Sequence, residues 1–246
     1  MENHAMTNLL AENSPRKVAR IAGVGYLIII LAGIFAEFFV RSSLIVPGDA
    51  VATANNIMAS EGLFRAGIAS DLIMLVFDVI VALALYVLLA PVNKPLSMLA
   101  AFFRLMHTAI YGVTLLNLVF VLLVLSGAEY LTVFAPHQLD SLAMLFLDGH
   151  NYGYLIGLVF FAFHCGVLGY LIFRSGFIPG ILGILMIAAS LGYLIDSFAQ
   201  ILMPNYSNYA AIFLTIVAVP AIIAELSLCL WLLIKGVKSQ SRANPA

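Results

Sequence analysis

Asp78, Arg104, His107, His164 and Glu225 all lie inside long apolar stretches of a 246-residue chain. An ionisable side chain deep in a bilayer costs several kcal/mol, so each of these needs a partner or a wet cavity. Three chemistries suit the residue types. His107, His164, Asp78 and Glu225 carry the donors of a metal site, but no HxxxH or HExxH spacing supports one. Asp71, Asp78, Asp196 and Glu225 could pass a proton or cation stepwise across a membrane. Hydrolysis needs a serine or cysteine beside a histidine. Cys165 follows His164, Ser197 follows Asp196 and Ser227 lies two residues after Glu225. Neighbours on a helix point in different directions, so these make poor dyads. A fourth reading is structural: a buried polar network fixes helix register.

Depth sorts the residues into two layers. At ~1.5 Å of rise per residue, Asp71 and Asp196 fall roughly 10 Å from the outer end of their helices. On the same count Asp78, His164 and Glu225 fall at about 20–24 Å, with Arg104 and His107 at roughly 27–32 Å. The outer layer therefore holds Glu37, Asp71, His150 and Asp196, with Arg41 and Arg65 near the surface. The inner layer is the polar cluster of Asp78, Arg104, His107, His164 and Glu225. Asp71 and Asp78, seven apart, share one helix face, as do Arg104 and His107, three apart. Glu37 and Arg41 are spaced to pair along one helix.

These residues are carried by six apolar runs, at about 20–41, 64–90, 97–125, 151–173, 179–203 and 209–234. A hydrocarbon core of ~30 Å needs about 20 helical residues, which each run supplies. Mean hydropathy is +1.09, and only 9% of residues are charged. Isolated apolar runs of this length must be helices, because lipid offers no partner to a free backbone N–H or C=O. The expected fold is an all-α membrane protein, a six-span transmembrane helical bundle. Residues 1–19 and 236–246 are expected as polar cytoplasmic tails around a single domain at 20–235. The first run reads as an uncleaved span, since it is too long for a signal peptide and lacks a small-x-small site.

Loop charge sets the orientation. With the N-terminus inside, the inner segments carry Arg16, Lys17, Arg20, Lys94, Arg104, Arg174, Lys235, Lys238 and Arg242. The outer segments carry only Arg41 and Arg65, which is a strong positive-inside bias with both termini cytoplasmic. A net charge of −1 leaves no basic field for nucleic acid. The partner implied is membrane lipid. Cys165 and Cys229 lie in apolar runs and read as small hydrophobes.

Local signals complete the expectation. Residues 50–60 read as a short helix in an outer loop. Residues 136–149 read as a second, either capping the bundle or lying flat on the membrane surface. Pro220 falls inside the last span and is expected to kink it one turn before Glu225. Gly153 with Gly157, and Gly176 with Gly180, are small-xxx-small pairs suited to helix packing.

Five strings carry a family resemblance. They are Leu63-Phe64-Arg65 running on to Ser70-Asp71-Leu72, Phe102-Phe103-Arg104-Leu105 with His107, and His150-Asn151-Tyr152-Gly153-Tyr154 running on to His164. The others are Gly192-Tyr193-Leu194-Ile195-Asp196-Ser197-Phe198, and Glu225-Leu226-Ser227 before Trp231-Leu232-Leu233-Ile234-Lys235. Together they resemble the bacterial membrane family called domain of unknown function 4386, over roughly 18–237. That resemblance implies a multi-pass protein of a bacterial inner membrane. It brings no assigned activity, cofactor or catalytic residue. The favoured class is transporter-like or sensor-like, with a polar intramembrane core. The alternative is a membrane-embedded hydrolase acting on lipid, with a metal held by His107 and His164.

Overall fold

The computed structural model describes residues 14–236. It is 87% helical, with no strand among the described residues. Six of its helices are long and apolar enough to cross a membrane. The first, α1, runs from Pro15 to Leu44 and contains a π-helical stretch at Phe35–Arg41. A short helix α2 (Ala50–Ala59) leads into α3 (Glu61–Leu89) and α4 (Lys94–Val124). Then follow α5 (Pro136–Ser175), α6 (Gly180–Leu202) and α7 (Ala210–Ile234). The tails expected at 1–19 and 236–246 fall mostly outside the described residues, and α1 already begins at Pro15.

Helix ends follow local chemistry. Ser14, Asp49 and Asn93 cap α1, α2 and α4 by accepting backbone N–H bonds from Lys17, Ala52 and Leu96. Gly176 stops α5 with φ of 70°, a left-handed turn that a Cβ would disfavour. It is therefore a terminator, with nothing within 4 Å of an added Cβ, and not half of a packing pair with Gly180. Residues 136–149 do not lie flat as a separate helix. They continue into the fourth span as one 40-residue helix whose first turns pack on α2.

The spans form a ring in chain order: α1 packs on α3, α3 on α4, α4 on α5, α5 on α6, α6 on α7, and α7 back on α1. Serine hydroxyls tie neighbours by donating to backbone carbonyls, Ser70 to Ala32 at 3.0 Å, Ser97 to Tyr86 at 2.9 Å and Ser190 to Ala162 at 2.7 Å. Such bonds are useful where lipid supplies no hydrophobic drive between helices. Outward faces are greasy: Leu72, Val76 and Leu83 of α3 are all more than half exposed on the isolated chain.

One close approach explains a proline. Pro220 has no N–H for the carbonyl of Ile216, four residues before it. That carbonyl faces Gly192 of α6, where a Cβ would sit 2.8 Å from the oxygen. The glycine lets α6 pass this freed acceptor at a distance that a side chain would not allow. The helix runs on through Pro220 to Ile234.

The core has two parts. At the end of the bundle carrying Pro15 and Ile234, here the near end, all spans but α4 contribute buried residues to one cluster, and Leu96 of α4 packs against it. Tyr26, Val81, Leu168, Met186 and Leu228 are among its members. At the opposite, far end, a second cluster joins α1 to α5 through Val40, Ile57, Phe64, Leu118 and Leu147, among others. Helices α6 and α7 contribute nothing to it. Their far-end halves therefore lie outside the far-end core.

Candidate functional site

The expected inner cluster divides into a closed network and an open cavity. Arg104 on α4 is the centre of the network and is 1% exposed. Its Nη2 donates to Asp78 Oδ1 of α3 at 2.5 Å. Its Nη1 donates to the Tyr26 hydroxyl of α1 at 2.9 Å and lies 3.2 Å from His164 Nε2 of α5. The guanidinium also lies over the Tyr26 and Phe161 rings, 4.8 and 5.4 Å from their centroids. The Thr108 hydroxyl, one turn along α4 from Arg104, shares its single proton between the Arg104 carbonyl at 2.8 Å and Asp78 Oδ2 at 3.3 Å. Four spans are thus cross-linked through one side chain. Arg104 Nε alone on this guanidinium is buried without a partner.

His164 is held in one tautomer by its neighbours. Its Nδ1 is 2.8 Å from the carbonyl of Ala100, which can only accept. Its Nε2 faces Arg104, which can only donate. The ring is therefore protonated at Nδ1 with its Nε2 lone pair taken, and neither nitrogen is free for a metal. His107 stands apart from this network. It lies among Tyr111, Tyr154 and Phe161, with ring centroids 5.1–6.3 Å away, and its Nδ1 is buried without a partner. Among the described residues no three His, Cys, Asp or Glu side chains converge as a metal site would require. The residues present do not fit the metal that the hydrolase alternative needs.

Glu225 belongs to the second part. Its Oε1 accepts from the Tyr193 hydroxyl at 2.5 Å. It lines a cavity of about 880 Å³ in the far-end half of the ring. This cavity reaches from Pro47 and Gly48, after α1, down to Tyr193 and Glu225. All six spans contribute lining, with Ile30 and Gly33 from α1, Met74 from α3, Tyr111 from α4, His150 and Tyr154 from α5, and Ile222 from α7. Phe38 and Ile222 line it yet are 68% and 58% exposed, so it opens sideways between α1 and α7.

Arg41 forms the rim. Its Nε donates to Glu37 at 2.7 Å, as the four-residue spacing leads one to expect. Its Nη1 and Nη2 reach the two oxygens of Asp71 at 2.6 and 3.5 Å. Asp71 is fully buried and accepts a further bond from the Tyr111 hydroxyl at 2.9 Å. The π-helical stretch ends at Arg41. Its extra residue turns the backbone at this point of α1, and such bulges often sit at functional sites. His150 is buried beside Tyr111 and meets the Thr114 carbonyl through Nδ1 at 3.5 Å.

Asp196 does not join this group. It accepts from Gln200 at 2.9 Å and from Tyr206 at 2.7 Å, tying the end of α6 to the turn before α7. Burial and the Asp196 carboxylate push the Tyr206 phenol above its ordinary value. Arg65 likewise pairs locally, with Glu61 on the exposed rim.

Several partners were not singled out by residue type. Thr108 and Tyr111 follow Arg104 and His107 by four residues, so they share the face those residues occupy. That periodicity could have found them. Tyr26 and Tyr193 carry no such signal, because each meets its partner across a helix boundary.

Two comparisons bear on identity. The model of a family described as "Domain of unknown function (DUF4386)" matches residues 21–236. An uncharacterised protein of Archaeoglobus fulgidus is 32% identical over 166 residues, covering 68% of this chain and 81% of that protein. That relative is archaeal, so the resemblance does not by itself select a bacterial membrane. No solved structure matches the chain.

Proposed function

We propose, for a chain that belongs to the domain of unknown function 4386 family and so takes no activity from its description, that it binds an amphiphilic molecule in the far-end cavity, in the manner of a transporter or a membrane sensor. One observation carries this reading: a cavity of about 880 Å³, with charged residues at its rim and mostly apolar walls beyond them, ends on a carboxylate and a hydroxyl at Glu225 and Tyr193. Apolar walls with a few converging polar groups are the usual form of a small-molecule site. The loop charges favour placing the far end outside the membrane, where the sideways opening meets the outer leaflet.

The hydrolase reading finds less support. The ring nitrogens of His164 are both engaged, and Cys165 is fully buried. The oxygens of Asp196 face Gln200 and Tyr206, leaving the Ser197 hydroxyl buried and unpartnered. The Asp78–Arg104–His164–Tyr26 network then serves as the fixed floor of a binding site and holds four helices in register.

A cavity-filling substitution tests this. Gly33 lines the cavity, and a Cβ there meets only the Met74 sulfur at 3.6 Å. Gly33→Phe should therefore fill space without moving backbone. Wild type and Gly33→Phe would be purified in parallel and their bound small molecules extracted for mass spectrometry. We expect an amphiphile that accompanies the wild type and is depleted from the variant at equal thermal stability. Identical extracts from two equally stable proteins would refute the reading.

A further inference from the structure

The charges around the cavity narrow the ligand further. Four carboxylates line it, from Glu37, Asp71, Asp148 and Glu225, against the single guanidinium of Arg41. That guanidinium is already used, since Glu37 takes its Nε and Asp71 takes both Nη atoms. No cationic donor of the cavity lining is left to answer an anionic headgroup. Glu225 is the reverse case. Its Oε1 is held by Tyr193, while Oε2 has no hydrogen-bond partner among the described residues. The lining around it is apolar, with Ile29, Ile30, Ala221 and Leu226. Fifteen residues separate Glu225 from Ala210 at the start of α7, or about 22 Å of helix, so it sits deep along the span. Tyr154 also lines the cavity, and its hydroxyl has no hydrogen-bond partner among the described residues.

We infer that the ligand is an amphiphilic organic cation of the amine class, whose ammonium group is received by Glu225 Oε2 while its apolar body lies along α1 and α7. This rests on the cavity being a binding site, as proposed above, and adds the sign of the charge. An ammonium N–H donates to the unoccupied carboxylate oxygen, and in a low-dielectric pocket such a charge-assisted bond is far stronger than its counterpart in water. The hydroxyls of Tyr154 and Tyr193 can accept the remaining ammonium protons. An anion would instead meet a field set by the carboxylates. A neutral head of the same size would gain only an ordinary hydrogen bond.

Three probes with one apolar body separate these cases: decylamine, decanol and decanoate. Each would be measured by equilibrium dialysis against the full chain in phosphatidylcholine nanodiscs, with empty nanodiscs subtracted. We expect decylamine to bind at least about ten-fold more tightly than decanol, a difference typical of one charge-assisted bond, and decanoate to bind weakest. Glu225→Gln should bring decylamine down to the level of decanol. Asp196→Asn removes a membrane carboxylate outside the cavity and should leave decylamine binding unchanged. Equal binding of decylamine and decanol by wild type would overturn the charge assignment and leave the cavity reading standing. The same holds if Glu225→Gln leaves decylamine binding intact, or if Asp196→Asn weakens it as much. Binding of none of the three above empty nanodiscs would overturn both. The comparison of probes on wild type decides the matter even if Glu225→Gln does not fold.

Discussion

Arg104 Nη2 and Asp78 Oδ1 meet at 2.5 Å where both side chains are almost wholly enclosed. Two charges taken from water into a helix bundle are tolerable only together. The same guanidinium reaches Tyr26 and His164, so loss of Arg104 also leaves a hydroxyl and a ring nitrogen without their partner.

Arg104→Met should therefore cost about 3–5 kcal/mol of stability, the range for uncovering a buried charge. Asp78→Asn combined with Arg104→Met should cost clearly less than Arg104→Met alone, because no charge is then stranded. Thermal unfolding of the purified variants measures both. A double variant as unstable as the sum of the singles would deny that the pair is coupled.

At the rim, Asp71 accepts from both Arg41 and Tyr111. Tyr111→Phe removes one neutral donor and should cost about 1 kcal/mol. Arg41→Leu leaves Asp71 buried without its counterion and should cost several times more. Equal effects in a melting comparison would mean that the rim pair is as loose as an exposed salt bridge.

The approach of α6 to α7 depends on Gly192. A Cβ there would lie 2.8 Å from the carbonyl of Ile216. Gly192→Ala should lower the melting temperature by forcing the two helices apart. Gly62→Ala, with nothing within 4 Å of the new Cβ, should be neutral or should stabilise by up to about 1 kcal/mol. The contrast between the two is the measurement. A Gly192→Ala protein as stable as wild type would show that the close crossing is dispensable.

Sidedness can be read with a membrane-impermeant maleimide. Glu129 lies in the turn before α5 and Ser175 at its last residue, so the 40-residue helix separates them. Cysteines introduced at the two positions should label from opposite faces of intact vesicles, with Glu129 outside. The native Cys165 and Cys229 are fully buried and give a quiet background. Labelling of both positions from one face would defeat the six-span topology.

The Tyr206 hydroxyl donates a hydrogen bond to Asp196, and burial with that carboxylate holds the phenol above its ordinary value of about 10. A raised folded-state value means the stabilisation is complete below about pH 10 and fades as pH climbs through the folded value. Wild type should lose stability across that alkaline window more steeply than Tyr206→Phe, as seen in melting curves taken over pH. Parallel pH profiles for the two proteins would rule out the linkage.

Run length and flanking charge were enough to place the helices, because a bilayer leaves no other structure for twenty apolar residues. The ends moved by a few residues where caps such as Ser14 and Asn93 or the Gly176 turn set them. Hydropathy separates residues 136–149 from the fourth span and the structure does not, because the polar residues that interrupt hydropathy there do not interrupt a helix. Asp78, Arg104 and His164 meet in one network, although rise per residue along each span sets Arg104 deeper than the other two. Depth does not say which face of the ring a residue turns to, so Glu225 seemed to belong with them.

By itself, then, the sequence determined that the chain is a six-helix membrane protein and that its buried charges must face inward. Water and hydrocarbon solvate charge so differently that composition alone forces both. Only the tertiary structure decided that Arg41 closes on Asp71, that Tyr26 completes the Arg104 network, and that α6 and α7 lie outside the far-end core. Those outcomes depend on helix rotation and crossing, which side-chain packing between distant segments sets and no local pattern records. The cavity is the product of that packing, and so is the separation of Glu225 from the charges beneath it.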